Sequence, residues 1–99
     1  MIARVKVDGN YLETFDEKGK KIKRAYIKSD FLGNSSDIVI VKDGNYIEIY
    51  DDELKKISRN FIKIDSFLGA SGDTFSIQEG NYAETYDKKG KKINRKYSK

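Results

Sequence analysis

Asp43-Gly44-Asn45-Tyr46-Ile47-Glu48-Ile49-Tyr50-Asp51 is the stretch that decides the fold, because the chain carries it three times. The first copy opens as Asp8-Gly9-Asn10-Tyr11 and runs to Asp16; the third opens as Glu79-Gly80-Asn81-Tyr82 and runs to Asp87. A second signature follows each copy: Lys21-Ile22-Lys23-Arg24, Lys56-Ile57-Ser58-Arg59 and Lys92-Ile93-Asn94-Arg95. The copies are offset by 35 and then 36 residues, the extra residue falling just before Phe67. Self-similarity at such a period marks supersecondary units that bury their apolar faces against one another.

Within each copy the local signals are those of β-hairpins. Asp8-Gly9 and Asp43-Gly44 read as the central pair of a type I′ turn, with Glu79-Gly80 a weaker version. That centre sets Val7 opposite Asn10, Lys6 opposite Tyr11 and Val5 opposite Leu12. Asp16-Glu17-Lys18-Gly19 and Asp87-Lys88-Lys89-Gly90 read as loops closed by a left-handed glycine. This closure sets Leu12 opposite Arg24, Glu13 opposite Lys23 and Thr14 opposite Ile22. In the middle copy Leu54 stands where glycine is wanted. A left-handed non-glycine residue costs about 1–2 kcal/mol, which predicts a rearranged loop. The expected strands are 3–7, 11–15 and 21–27; 38–42, 46–50 and 56–62; 74–78, 82–86 and 92–97. The intervening segments 29–37 and 65–73 each carry a Phe-Leu pair, enough for a short fourth strand.

The run from Asp37 through Ser58 resembles the second, third and fourth strands of a β-propeller blade. Phe67-Leu68-Gly69 would be the first strand of the next blade. The resemblance covers nearly the whole chain and implies blade-like stacking, although the period is shorter than the roughly 40–45 residues of common blades. No WD or kelch signature is present. The faces of the strands refine this. In the middle repeat Ile38, Ile40, Ile47, Ile49 and Ile57 line one side, and Val39, Val41, Tyr46 and Tyr50 the other. The first repeat pairs an apolar face (Val5, Val7, Leu12, Ile22) with one that begins Arg4 and Lys6. The third pairs Phe75, Ile77, Tyr82 and Tyr86 with Thr74, Ser76, Ala83 and Thr85. Terminal repeats that are polar on their outward side suit a linear array. The expectation is therefore an all-β single domain, 1–99, of three antiparallel repeats (about 1–28, 29–64 and 65–99). Each repeat has three to four strands, stacked like blades in an open array. A β-trefoil is the alternative.

Composition narrows the chemistry. Ninety-nine residues with no cysteine and no histidine exclude disulfides, thiolate nucleophiles, the usual zinc ligands and imidazole acid–base catalysis. No cofactor and no metal is expected. The N-terminal residues lack a signal-length apolar run and no segment is long enough to span a bilayer, so the expected location is the cytoplasm. The net charge of +4 is uneven: residues 88–99 hold seven basic groups and no acid, leaving 13 basic and 16 acidic groups elsewhere.

Three sets of residues invite a functional reading. Glu13, Glu48 and Glu84 occupy equivalent positions between aromatics, as a carboxylate pair or a sugar platform would. The plainer reading gives each Glu a cross-strand cation, Lys23 for the first, with the aromatics packed between sheets. Arg24, Arg59 and Arg95 are also equivalent; each could receive an anionic ligand, pair with an aspartate such as Asp37 or Asp73, or stack on an aromatic. Lys88, Lys89, Lys91, Lys92, Arg95 and Lys96 with Tyr97 form a basic hairpin. It could contact nucleic-acid phosphates or an acidic partner, or protect an exposed edge from aggregation. The leading expectation is a non-enzymatic module, monomeric and without membrane contact, that binds another protein through a sheet edge or end face. Nucleic-acid binding through the C-terminal hairpin ranks second, and a carboxylate-based carbohydrate-active enzyme third.

Overall fold

The computed structural model describes residues 1–97. These residues form eleven strands and no helix: β1 (Arg4–Asp8), β2 (Tyr11–Phe15), β3 (Lys21–Tyr26), β4 (Asp30–Asn34), β5 (Val39–Asp43), β6 (Tyr46–Tyr50), β7 (Lys56–Phe61), β8 (Ser66–Ser71), β9 (Thr74–Glu79), β10 (Tyr82–Asp87) and β11 (Lys92–Tyr97). They form three antiparallel meanders: sheet one, β1-β2-β3; sheet two, β4-β5-β6-β7; sheet three, β8-β9-β10-β11. The open array is thus the observed architecture, and among the described residues no sheet closes into the barrel that a trefoil requires. Among the described residues, no helix is long and apolar enough to cross a membrane.

Sheet two lies between the others, and both of its faces are core. Ile38, Ile40, Ile47 and Ile49 pack with Phe75, Ile77 and Tyr86 of sheet three. Val39, Val41 and Tyr50 pack with Leu12, and with Val5 and Ala25 at the margin, of sheet one. Side chains alternate across a strand, so a strand buried on both sides can carry apolar residues at every position, as 38–41 does in Ile-Val-Ile-Val. The outward face of sheet three is small and polar, with Ser76 and Thr85 joined through their hydroxyls at 3.0 Å.

The sheets come closest along their first strands. β4 lies against β8, and β1 against β4. Gly33 permits this approach, since a Cβ there would overlap the ring of Phe67. Farther out, loops hook onto the preceding sheet: Thr14 Oγ1 donates to the carbonyl of Asp52 at 2.8 Å, Ser58 Oγ to Lys88 at 2.7 Å and Asn60 Nδ2 to Lys89 at 3.0 Å.

Three local expectations are corrected. The first turn is centred one residue later, on Gly9-Asn10, so Asp8 pairs with Tyr11 and Lys6 with Glu13. Gly9, Gly44 and Gly80 have φ of 61°, 62° and 59°, whereas the following asparagines do not take positive φ. A glycine-only positive φ at the first central position is the type II′ pattern, which also suits strand twist. Second, β2 and β3 slip by one residue at a bulge between Thr14 and Phe15, placing Glu13 opposite Arg24 rather than Lys23. The same bulge recurs at Ile49/Tyr50 and Thr85/Tyr86. An extra residue beside a left-handed loop position is what bulges of this kind accommodate.

Third, the Leu54 loop is not rearranged. Leu54 adopts φ 59°, and its N–H reaches the Asp51 carbonyl at 3.0 Å, as Gly19 reaches Asp16 and Gly90 reaches Asp87. The side chain is 7% exposed, buried with Leu12 and Tyr50. Burying a leucine stabilises by about 1.5–3 kcal/mol, enough to offset the backbone strain.

Candidate functional site

The bulge gathers the two sequence signatures into one cluster, built three times. In sheet two, Glu48 sits opposite both Val41 and Arg59 and is 4% exposed. Arg59 Nη1 donates to Glu48 and, at 3.0 Å, to Asp43. Its guanidinium lies 4.4 Å from the centroid of the Tyr46 ring, and Tyr46 meets Phe61 edge to face at 5.8 Å. Lys56 Nζ is 3.3 Å from Glu48 Oε2, and the Tyr50 hydroxyl donates to Oε1 at 3.0 Å. One carboxylate thus carries an arginine, a lysine and a phenol.

Sheet one repeats the plan around Glu13, with Arg24, Lys21 at 3.3 Å and Asp8 at 3.2 Å from Arg24. Arg24 covers Tyr11, which packs edge to face on Tyr26. Phe15 stands where the other sheets have tyrosine, so no phenol reaches Glu13; instead Arg4 stacks 4.3 Å over Phe15. Although this face has no neighbouring sheet, Glu13 is only 3% exposed. Sheet three centres on Glu84, fully buried, with Arg95 Nε at 3.0 Å, Lys92 Nζ at 3.1 Å and the Tyr86 hydroxyl at 2.8 Å. Arg95 lies 3.9 Å over Tyr82, which meets Tyr97 at 5.6 Å. Here Glu79 replaces the turn aspartate, and Asp65, beside the extra residue of the period, accepts from the Gly80 N–H at 2.6 Å.

Electrostatics follow from these contacts. Arg24 above all, with Lys21, holds Glu13 below the usual carboxylate range against the opposing effect of burial. Burial pushes Glu48 up, but hydrogen bonds from Arg59, Tyr50 and Lys56 outweigh it and hold the carboxyl low. Asp43 and Glu48 raise Arg59, and Glu13 and Asp8 raise Arg24. Burial first, and then the Glu48 carboxylate, pushes Tyr50 up to about 12; burial and Glu84 raise Tyr86 in the same way. A carboxylic general acid needs its pKa raised toward neutrality; Glu13 and Glu48 are moved the other way. Their arginines are occupied by carboxylates within the sheet, and the repeated aspartates that meet them are Asp8 and Asp43 rather than Asp37 or Asp73.

The basic hairpin is divided. Lys92 and Arg95 turn onto Glu84. Lys96 pairs opposite Ala83, on the other side of the strand. Lys88, Lys89 and Lys91 remain exposed in the β10–β11 loop, whose carbonyls dock on sheet two. Among the described residues, no group of three or more metal-ligating side chains converges.

A repeated set of aromatic side chains also stays open to solvent. Beside each Gly-Asn turn an edge-to-face pair stands at the sheet end: Tyr11/Tyr26, Tyr46/Phe61 and Tyr82/Tyr97. The third-strand member of each is the more exposed, 59% for Tyr26, 66% for Phe61 and 59% for Tyr97. Sequence reasoning missed this set because the register slip hid which aromatics meet. The bulge that left-handed glycine loops bring with them was the available signal. The chain matches no protein-family model and no curated protein.

Proposed function

We propose that the chain is a non-enzymatic interaction module whose partner is another protein, engaged through the three exposed aromatic pairs. The observation that carries this reading is the contrast within each cluster. The glutamates are spent on cations of their own sheet, whereas Tyr26, Phe61 and Tyr97 leave more than half of their surface open beside a charged guanidinium. Rigid aromatic side chains flanked by arginine are the composition of interface hot spots. Three copies on one scaffold give repeated contacts, whose avidity exceeds that of any single pair. The likeness to propeller blades agrees with a scaffold role but assigns no activity, because that architecture hosts many.

The test is capture from cell lysate, run with and without nuclease, comparing the native chain with Tyr26→Ala/Phe61→Ala/Tyr97→Ala. The substitutions are on exposed positions, so circular dichroism should stay unchanged. The reading expects a defined protein to be recovered with or without nuclease and lost with the triple variant. Recovery that vanishes with nuclease, and persists in the triple variant, would instead favour the exposed lysines of the β10–β11 loop.

A further inference from the structure

Sheets two and three each carry a first strand, β4 on β5 and β8 on β9, and among the described residues sheet one has no counterpart of it. The strand equivalent to β5 and β9 is β1, and among the described residues nothing pairs with its other edge. β1 also carries its charge on the face that has no neighbouring sheet. Arg4, Val5 and Lys6 stand where sheet two has the fully buried Val39, Ile40 and Val41. Arg4 and Lys6 share a face, both are exposed, and neither has an ion-pair partner among the described residues, unlike Lys21, Arg24, Lys56, Arg59, Lys92 and Arg95.

We propose that sheet one binds an acidic extended peptide of another protein by antiparallel strand addition to β1. The chain itself supplies the template. On β5, Phe31 pairs with Val41, Gly33 with Ile40 and Asn34 with Val39, with a bulge between Phe31 and Gly33; β8 repeats this on β9. Transferred to β1, the Phe31 position falls opposite Lys6, the Gly33 position opposite Val5 and the Asn34 position opposite Arg4. The residue opposite Val5 faces sheet two, where it would meet the half-buried Phe31 of β4 as Gly33 meets Phe67. It must therefore be glycine or comparably small. Residues opposite Lys6 and Arg4 lie on the outward face, where Asp or Glu gives opposite-charge cross-strand pairs. The recognised pattern is acidic–any–Gly–acidic in extended conformation, with backbone hydrogen bonds supplying affinity and these side chains specificity. The inference rests on the interaction-module reading but uses a separate surface, so the aromatic-pair capture and the peptide assay can fail independently.

The probe is a fluorescein-labelled synthetic copy of residues 29–37 carrying Phe31→Glu and Asn34→Glu, titrated by anisotropy with amide NMR shifts recorded in parallel. Saturable binding with shifts centred on Arg4–Asp8 is expected. A peptide with lysines at the same two places should bind about tenfold more weakly or worse, given two like-charge cross-strand pairs. The acidic peptide with Gly33→Val should lose binding. In the chain, Lys6→Glu should reverse the order of the acidic and lysine peptides; should it fold poorly, Lys6→Gln should narrow the difference between them. Equal binding of the two peptides, shifts on another strand, no saturable binding, or occupation of β1 by a second copy of the chain would each overturn the proposal.

Discussion

Leu54 offers the sharpest test of how the array is held together. By repeat logic, Leu54→Gly should stabilise the protein, since Gly19 and Gly90 fill the equivalent positions at φ 80° and 81°. The packing says otherwise. Glycine would relieve about 1–2 kcal/mol of left-handed strain, but removing a leucine that is 7% exposed between sheets costs about 2–5 kcal/mol. The net expectation is a loss of about 2 kcal/mol within a span of about 0–4 kcal/mol, the central value corresponding to roughly 8–16 °C in midpoint for a domain of this size. Leu54→Ala keeps the strain and loses most of the packing, so it should be worse than Leu54→Gly by about 1–2 kcal/mol. Urea denaturation of the three proteins reads the order directly: native, then Gly, then Ala. A Leu54→Gly protein as stable as the native one would refute the claim that burial of this side chain offsets the strain.

Alkaline stability should follow the phenols. Tyr50 titrates higher in the folded chain than the unfolded value near 10, so its contribution is intact below about pH 10 and lost as pH rises toward 12; Tyr86 acts in the same direction. Denaturation midpoints against pH should fall across that window and fall less in Tyr50→Phe. On the acid side Glu48 is depressed, so its contribution is present above about pH 4.3 and lost as pH falls through the folded value. Glu48→Gln should flatten the acid limb of the same plot. Gly33→Val should destabilise by about 1–3 kcal/mol through overlap with Phe67, and pairing it with Phe67→Ala should restore part of that loss; additive losses would contradict the contact. Glu84→Gln leaves Lys92 and Arg95 without their anion and should cost about 2 kcal/mol by thermal melts.

The array was legible because its signals are periodic. Ile38-Val39-Ile40-Val41 announces a strand with two buried faces, and the charged and polar outer faces of the terminal repeats announce where stacking stops. The clusters were less legible because register depends on one residue. The bulge at Thr14/Phe15 shifts every partner of β3, turning Glu13 from Lys23 to Arg24 and bringing Tyr26 onto Tyr11. Leu54 was misread because propensity prices the backbone alone, whereas the compensating burial comes from Leu12 and Tyr50, remote in sequence or on another strand. The edge of β1, unpaired among the described residues, lay hidden for a different reason. It is a property of which strands pair, which no single stretch of the sequence displays.

The central claim, that the aromatic pairs face a protein partner, is tested most directly by a photo-crosslinking residue placed at Phe61 and, separately, at Lys89. The account predicts a discrete protein adduct from position 61 that survives nuclease and none of comparable yield from position 89. Crosslinking confined to position 89, or to nucleic acid, would contradict it.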